Sequence, residues 1–491
     1  MRKILFYLVI AALVVSGRLF GAETITLQQS LQRVIDTYPS LRVAELQLQR
    51  ARQQNARVES QLGWTLAGSG GYARDTALGI GAPLDRADIA ASLQRKLASG
   101  ASVGLDAGYS RDDASDTFSP LIPNPSDVTD VGLSWRQPLA KGLGNPQYKQ
   151  GLVSAEAEVN IAEADRRTLH DSLARQVADL YYSAALTQAN IKNAAQALDR
   201  ARRLKKYLQD NAGLGIAEET DLLQAEAQLR TRIAERRALR VAWEQQRTNL
   251  NRLMGRDWNA EFNPAPAASM VPLAGNFDAM FEQVENHNPD LMRNRAQVVI
   301  ADAAIGLKRD AHKDDLDVVF SVGNRTTTGD VDITGGNIDE SELIGGVRLE
   351  YSRALDRRGL DAELYQAQLD RDIASQEIKT LQHDLRYNLS GLLAEIEASR
   401  AALSSFRARL VSEQRKFEEA IQRYRTGRTT TEDLIRFESD LFLAEITVEQ
   451  QAIELARRHT DLDVLRGIIW ESIAPLNPDV PAYSRPMRGK R

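Results

Sequence analysis

The sequence predicts a mainly α-helical, internally duplicated chain that also carries membrane-length β-strands. Three observations predict it. Residues 152–213 lack proline and run for a length that only coiled-coil helices reach, about 93 Å at ~1.5 Å per residue. Two sets of short segments repeat in order along the chain. Between the helical stretches lie five runs in which apolar residues alternate with small, polar or charged ones.

Composition narrows the function classes. Among the 491 residues, Lys plus Arg is 62 and Asp plus Glu is 67, a net charge of −5 that offers no basic footprint for nucleic acid. Cysteine is absent, which removes disulfides, thiolate metal sites and cysteine nucleophiles. The 5 histidines (170, 287, 312, 383, 459) never fall at i,i+3 or i,i+4, so no helix face carries a histidine metal site. Aromatics at 6% are sparse for one large globular core.

The elements follow in chain order. Met1-Arg2-Lys3 is basic, Ile4 to Val15 is almost wholly apolar, and small residues follow at Ser16, Gly17, Gly21 and Ala22. An apolar run of that length falls short of the ~20 residues of a spanning helix and suits an export signal over residues 1–22, with a short membrane anchor as the alternative. A first repeat is expected over 23–260, a linker marked by Pro264, Pro266 and Pro272 over 261–275, a second repeat over 276–471, and a flexible tail over 472–491. Helices are expected at 26–63, 152–213 and from the Gly213-Leu-Gly215 break to about Met254, then at 276–312, 357–425 and 429–470. Leu364, Leu381, Leu385, Leu389, Leu392 and Ile396 mark part of a coiled-coil seam.

The duplication is carried by Gly215/Gly427, Asp221/Asp433, Glu226/Glu438 and Leu253-Met-Gly255/Leu465-Arg-Gly467, all at an offset of 212. Tyr38-Pro39-Ser40-Leu41 lies over Asn288-Pro289-Asp290-Leu291 at an offset of 250, so the first copy holds 38 additional residues. The alternating runs are centred on Trp64–Tyr72, Val103–Tyr109, Val131–Trp135, Leu316–Val322 and Val347–Tyr351. Each is about 9–11 residues long, the length of a transmembrane strand. A soluble sheet packed on helices would show the same alternation. Residues 88–98 and 101–111, joined at Ser99-Gly100, read as an added hairpin that accounts for most of the extra segment. Its tight turn favours a place in a barrel wall, whereas Arg95 and Lys96 favour a flap outside it.

Taken together, the chain resembles the TolC-like outer-membrane efflux proteins. The carriers are Thr26-Leu27…Pro39-Ser40-Leu41, Gln137-Pro138-Leu139, the two Gly-x5-Asp turns and the Leu-x-Gly helix ends. The resemblance implies duplicated helical hairpins forming a periplasmic α-barrel tunnel, continuous with a trimeric outer-membrane β-barrel. It implies a homotrimer in outer-membrane lipid, working with a periplasmic adaptor protein and an inner-membrane transporter of RND, ABC or similar type. The function implied is a passive exit duct of a tripartite efflux or type I secretion system; a periplasmic coiled-coil adaptor is the alternative. The family norm is two strands per repeat, so the hairpin is a departure.

Chemistry is expected to be absent: no enzyme, no catalytic residues, no cofactor, no metal. Asp112-Asp113 and Asp314-Asp315 are sequence neighbours that point apart on a strand or turn. The stretch Asp330-Val-Asp332…Asp339-Glu340-Ser-Glu342 lacks the EF-hand pattern and reads as a solvated acidic loop. Gly142-Leu-Gly144-Asn145 lacks the Gly-Lys-Ser/Thr of a P-loop and reads as a strand-to-helix turn. The resemblance assigns a periplasmic aperture to Asp433, with Arg436 three residues on where the best-known relative has a second Asp. It assigns a closed-state latch to Tyr424 and Arg428 against Thr220 and Asp221. The alternative for Asp433 and Asp221 is helix capping, and for Tyr424 a groove-filling ring.

Overall fold

The computed structural model describes residues 23–75, 83–114, 123–212, 218–265, 275–331 and 336–469. The expected export signal, the tail and Gly213–Gly215 lie outside them. The elements are β1 (Glu23–Ile25), α1 (Leu27–Thr37), α2 (Pro39–Glu59), β2 (Trp64–Asp75), β3 (Leu84–Lys96), β4 (Ser102–Ala114), β5 (Ser126–Pro138), α3 (Pro146–Ala212), α4 (Glu219–Leu253) and β6 (Phe262–Pro264). The second copy supplies α5 (Phe277–His287), α6 (Pro289–Ala311), β7 (Asp315–Val331), β8 (Gly336–Ser352), α7 (Arg358–Arg425) and α8 (Thr431–Leu465). Among the described residues no helix is long and apolar enough to cross a membrane.

The expected helices are present, with two refinements. The first segment is split at Tyr38-Pro39 and its counterpart at Asn288-Pro289, because proline cannot donate into the preceding turn and favours the first position of a new helix. The long helix of the first copy starts at Pro146, ahead of the expected 152. Thr26 opens α1 with a capping box: its hydroxyl accepts from Gln29 N, and the Gln29 side chain accepts from Thr26 N. The linker carries an element that periodicity missed, since β6 pairs in parallel with β1.

The described residues form two compact units, one within 23–43, 166–289 and 382–469, and one within 44–165 and 290–381. The first is helical. Its core joins Ile25, Leu31 and Val34 to Val177, Tyr181 and Tyr182 of α3, Leu250 and Met254 near the end of α4, Phe262 of β6 and Ile453 and Val464 of α8. The Tyr181 hydroxyl lies 3.1 Å from the carbonyls of both Ile25 and Ala265, pinning the small β1–β6 pair to α3. Burial pushes the Tyr181 hydroxyl up to about 12, so it stays a donor. Of the expected seam, Leu385, Leu389 and Ile396 are buried and Leu364, Leu381 and Leu392 half-buried.

The second unit holds a six-stranded antiparallel sheet in the order β2-β3-β4-β5-β7-β8. The added hairpin is longer than expected and is woven between β2 and β5 as β3 and β4. The acidic stretch at Asp330–Glu342 is strand rather than loop over its described part: β7 runs to Val331, and β8 begins at Gly336 and carries Asp339, Glu340 and Glu342. Alternation over the first half of β8, with Ile338 among the acids, is weak enough to read as coil, unlike the expected run at Val347–Tyr351. Pairing with β7 decides it.

Candidate channel site

Two surfaces carry the functional reading, one in each unit. In the sheet, register places one face entirely in rows. Trp64, Arg95, Val103, Trp135, Phe320 and Val347 form one row. Leu66, Leu93, Leu105, Leu133 and Val322 form the next. The large exposed hydrophobics of the six strands all sit on this face, except Ile344. Trp135 and Phe320 stack at 5.1 Å in the first row, while Tyr72 and Tyr109 stand near the opposite strand ends. An apolar band bounded by aromatics is the pattern of a lipid-facing wall.

The other face is small, polar and charged, and it is concave: Ala67, Ser69, Ser92, Asp106, Asp130, Ser134, Ser321 and Arg325 line the hollow. Its charges are largely paired across strands. Arg86 grips Asp112 with both nitrogens at 2.7 and 2.9 Å, Arg325 reaches Asp130 at 2.6 Å, and Arg136 reaches Asp317 and Glu350, each at 2.8 Å. Asp112 is thus a structural partner, and Asp113 lies on the opposite face of β4. Asp314 and Asp315 likewise diverge, the former to Arg357 and Tyr351, the latter to Lys141 at 2.9 Å. No cluster of described residues has the make-up of a metal site.

In the helical unit the second-copy turn is set by Gly427 at φ +70°. Gly427 N donates to Tyr424 O at 3.0 Å and Arg428 N to Arg423 O at 2.8 Å, which closes α7 with a Schellman cap. Thr430 then caps α8: its hydroxyl oxygen accepts from Asp433 N at 3.2 Å and lies 3.0 Å from the Asp433 carboxylate. The other carboxylate oxygen of Asp433 accepts from Arg436 at 2.8 Å. Asp433 therefore sits in the first turn of α8, partly exposed and already paired on its own helix.

Tyr424 bonds Thr431 at 2.8 Å within its own hairpin and packs its ring 5.8 Å from Tyr207 of α3. Burial raises its pKa, and the charge of Asp221 adds to that shift. The Thr220 hydroxyl lies 3.3 Å from Glu218. Among the described residues no hydrogen bond or ion pair joins the side chains of Tyr424 or Arg428 to those of Thr220 or Asp221. The structure thus brings Tyr424 near Asp221 without bonding the two.

The strongest polar junction of this unit was not singled out by motif reading. Glu438 of α8 receives Arg232 of α4 at 2.8 Å, Arg200 of α3 at 3.1 Å and Gln228 of α4 at 3.2 Å. Arg200 also holds both oxygens of Glu445, at 3.1 and 3.0 Å. Arg232 lies over the Phe442 ring at 4.3 Å, and its side chain is only 5% exposed, that of Glu438 6%. Opposing bonds outweigh burial and hold the Arg232 pKa above its ordinary value. This network ties α3, α4 and α8, helices from both copies. Its only sequence trace is that Glu438 shares the repeat with Glu226, which here pairs at the surface with Arg230 at 2.7 Å.

Comparison with known proteins then places these features. Residues 82–256 match the outer membrane efflux protein family. The chain is 23% identical over 326 residues to the outer membrane efflux protein BepC of Brucella suis biovar 1 (strain 1330), covering 65% of this chain and 68% of that protein. The outer-membrane channel OprN has the same fold, with a TM-score of 0.68 at 19% identity over 90% of this chain and 89% of that one. The outer membrane protein VceC of Vibrio cholerae superposes with a TM-score of 0.63 at 15% identity over 90% of this chain and 96% of that one.

Proposed function

We propose that this chain, a TolC-like outer membrane efflux protein by its family match and its fold, is the outer-membrane channel of a tripartite export system. Three copies would close the wall in lipid, their helices forming a periplasmic tunnel. An adaptor and an inner-membrane transporter of RND, ABC or similar type would deliver the substrate, and the channel would act as a passive duct. The observation that carries this reading is the sheet with an exposed apolar face and a concave polar face, in a chain whose described helices cannot span a bilayer. In hydrocarbon, only helices or closed barrels satisfy the backbone, so such a sheet must be closed by other copies. Tyr365, Leu369 and Ile373 of α7, exposed at i, i+4 and i+8, support packing between copies. The test is to reconstitute the purified protein in planar bilayers. Stepwise conductance and heat-modifiable migration are expected, and a soluble, non-conducting product would overturn the reading.

Within this reading Asp433 is a ring carboxylate at the periplasmic aperture, three per channel, that favours cations near the axis. Arg436, bonded to it at 2.8 Å, weakens the effect. The two substitutions should move selectivity in opposite directions. Asp433→Ala is expected to lower the cation-to-anion permeability ratio and Arg436→Ala to raise it, read from reversal potentials in a salt gradient. Equal ratios in all three proteins would leave Asp433 as a capping residue only.

The latch is the second element of the proposal. Tyr424 and Arg428 would hold Thr220 and Asp221 in the closed state, with the hydroxyl of Tyr424 exchanging Thr431 for the first-copy turn. Each sheltered charge-assisted bond contributes roughly 1.5–3 kcal/mol, and three copies act together. Tyr424→Phe combined with Asp221→Ala is expected to give a larger single-channel conductance in the absence of adaptor. Conductance equal to wild type would remove the latch.

A further inference from the structure

We propose that the β3–β4 hairpin is part of the membrane wall, so that three copies of this chain close an eighteen-stranded barrel, three times six, through β2 of one copy and β8 of the next. The proposal rests on the trimeric outer-membrane channel reading and adds to it the size of the barrel and the seam between copies.

Four observations lead there. First, the hairpin is in register throughout: β3 pairs with β2 from Leu84 to Arg95, and β4 pairs with β5 from Ser102 to Asp112. A flap outside the wall would leave β2 and β5 paired to each other. Second, the hairpin obeys the same two-faced pattern as its neighbours. Ile89, Leu93, Leu105 and Tyr109 fall on the apolar face, and Ala90, Ser92, Asp106 and Gly108 on the concave polar one. Arg95, which argued for a flap, lies at the edge of the band beside Trp64, donates to the Leu62 carbonyl at 2.9 Å and sits over the Trp64 ring. That is an interfacial position, where a long cationic side chain reaches water.

Third, the turn of the hairpin is anchored at the strand-to-helix junction. Gly144 N donates to Ser99 O at 2.8 Å, Asn145 Nδ2 donates to Leu97 O at 3.3 Å, and the buried Asp310 carboxylate accepts from Gly142 N at 2.8 Å. Fourth, the two outer strands are long and unpartnered on one side. On the apolar face Leu66 and Tyr72 of β2 are 76% and 69% exposed, and Leu343 and Val347 of β8 are 81% and 71%. On inner strands of the same face Leu105, Val131, Leu133 and Val322 are 45–49%, with Ile89 of β3 higher at 66%. Outer strands of 12 and 17 residues with free backbone groups cannot face hydrocarbon, and a second copy is the one occupant that also continues the apolar band.

Barrel diameter grows roughly in proportion to strand number, and eighteen strands enclose a water-filled channel. The hairpin would therefore widen the exit by about half over a twelve-stranded wall.

Absence of cysteine makes the test direct. Single cysteines at Leu93, Leu105 and Leu133, and at Ser92 and Asp106, carry an environment-sensitive fluorophore in the full-length protein reconstituted into brominated-phosphatidylcholine vesicles. Lipid quenching is expected at Leu93 and Leu105 to the same extent as at Leu133, and not at Ser92 or Asp106. Quenching at Leu133 alone would overturn the hairpin's place in the wall and leave the channel reading standing. Quenching at none of the three leucines would overturn both. A second variant removes residues 76–122 and joins β2 to β5, which are antiparallel to one another in this order. Its polyethylene glycol exclusion diameter, measured from the barrel side, is expected to fall by about a third. An unchanged diameter would overturn the eighteen-stranded barrel.

Discussion

Replacing Glu438 with alanine is expected to be the most damaging single change in the helical unit, lowering stability by roughly 3–5 kcal/mol per copy. The cost arises less from the bonds removed than from what they leave behind. Arg232, 5% exposed in its side chain, would keep Glu235, Ser439 and the Phe442 ring as partners, and Arg200 would keep Glu445. A cation stripped of its main counter-ion in a sheltered site loses far more than a solvated surface pair does. Glu438→Gln retains volume and one acceptor and should fall between the variant and wild type. Pairing Glu438→Leu with Arg232→Met should recover part of the loss, because it removes the orphaned charge together with its partner. Since the network joins helices of both copies, Glu438→Ala should also raise channel conductance without adaptor. Thermal unfolding followed by circular dichroism, alongside single-channel recording, checks both. A midpoint shift no larger than that of a surface control such as Glu226→Ala would count against a structural role for this junction.

The contrast between Glu226 and Glu438 shows what the sequence could and could not disclose. Helices and strands announced themselves because their signal is periodic and local: 3.6 residues for the long helices, 2 for the strands. Of the two repeated Gly-x5-Asp turns, the second is described, and Gly427 takes the backbone role expected of it at φ +70°. Burial of one repeat position and exposure of its twin is not local. It depends on which helix lies opposite, and only the fold brings Arg200 and Arg232 to Glu438. By contrast, the local neighbours of Asp433, Thr430 and Arg436, were legible, whereas the preference of Tyr424 for Thr431 over Thr220 was not. The membrane strands were the most transparent part. Even so, the acidic residues hid the first half of β8, which pairing with β7 enforces, and the short β1–β6 pair left no periodic trace at all.

Gly100→Val is expected to unseat the β3–β4 hairpin, a second large effect and one confined to the sheet unit. Gly100 has φ +89°, a conformation that L side chains rarely adopt and β-branched ones least. A Cβ at this position overlaps the carbonyl oxygen of Gly142 and presses on Asn145 N and Pro138 Cγ, both at 3.2 Å. Neither backbone atom can rotate away as a side chain would. Left-handed strain alone costs on the order of 1–3 kcal/mol, and the overlap adds to it. Relief requires the Leu97–Ala101 turn to move off the Gly142–Asn145 turn, which forfeits the bonds from Gly144 N to Ser99 O and from Asn145 to Leu97 O. The wall would then be loosened at its helix-side rim. The expected readout is new protease cleavage between Lys96 and Ser102, together with loss of the heat-modifiable band. Gly359→Ala is the matched control, since nothing lies within 4 Å of a Cβ there and the site is in the first turn of α7. It should be neutral or stabilising by ~0.4–1 kcal/mol. Wild-type protease resistance in Gly100→Val would show that the turn is not seated on the strand-to-helix junction, and the hairpin would lose its anchor in the wall.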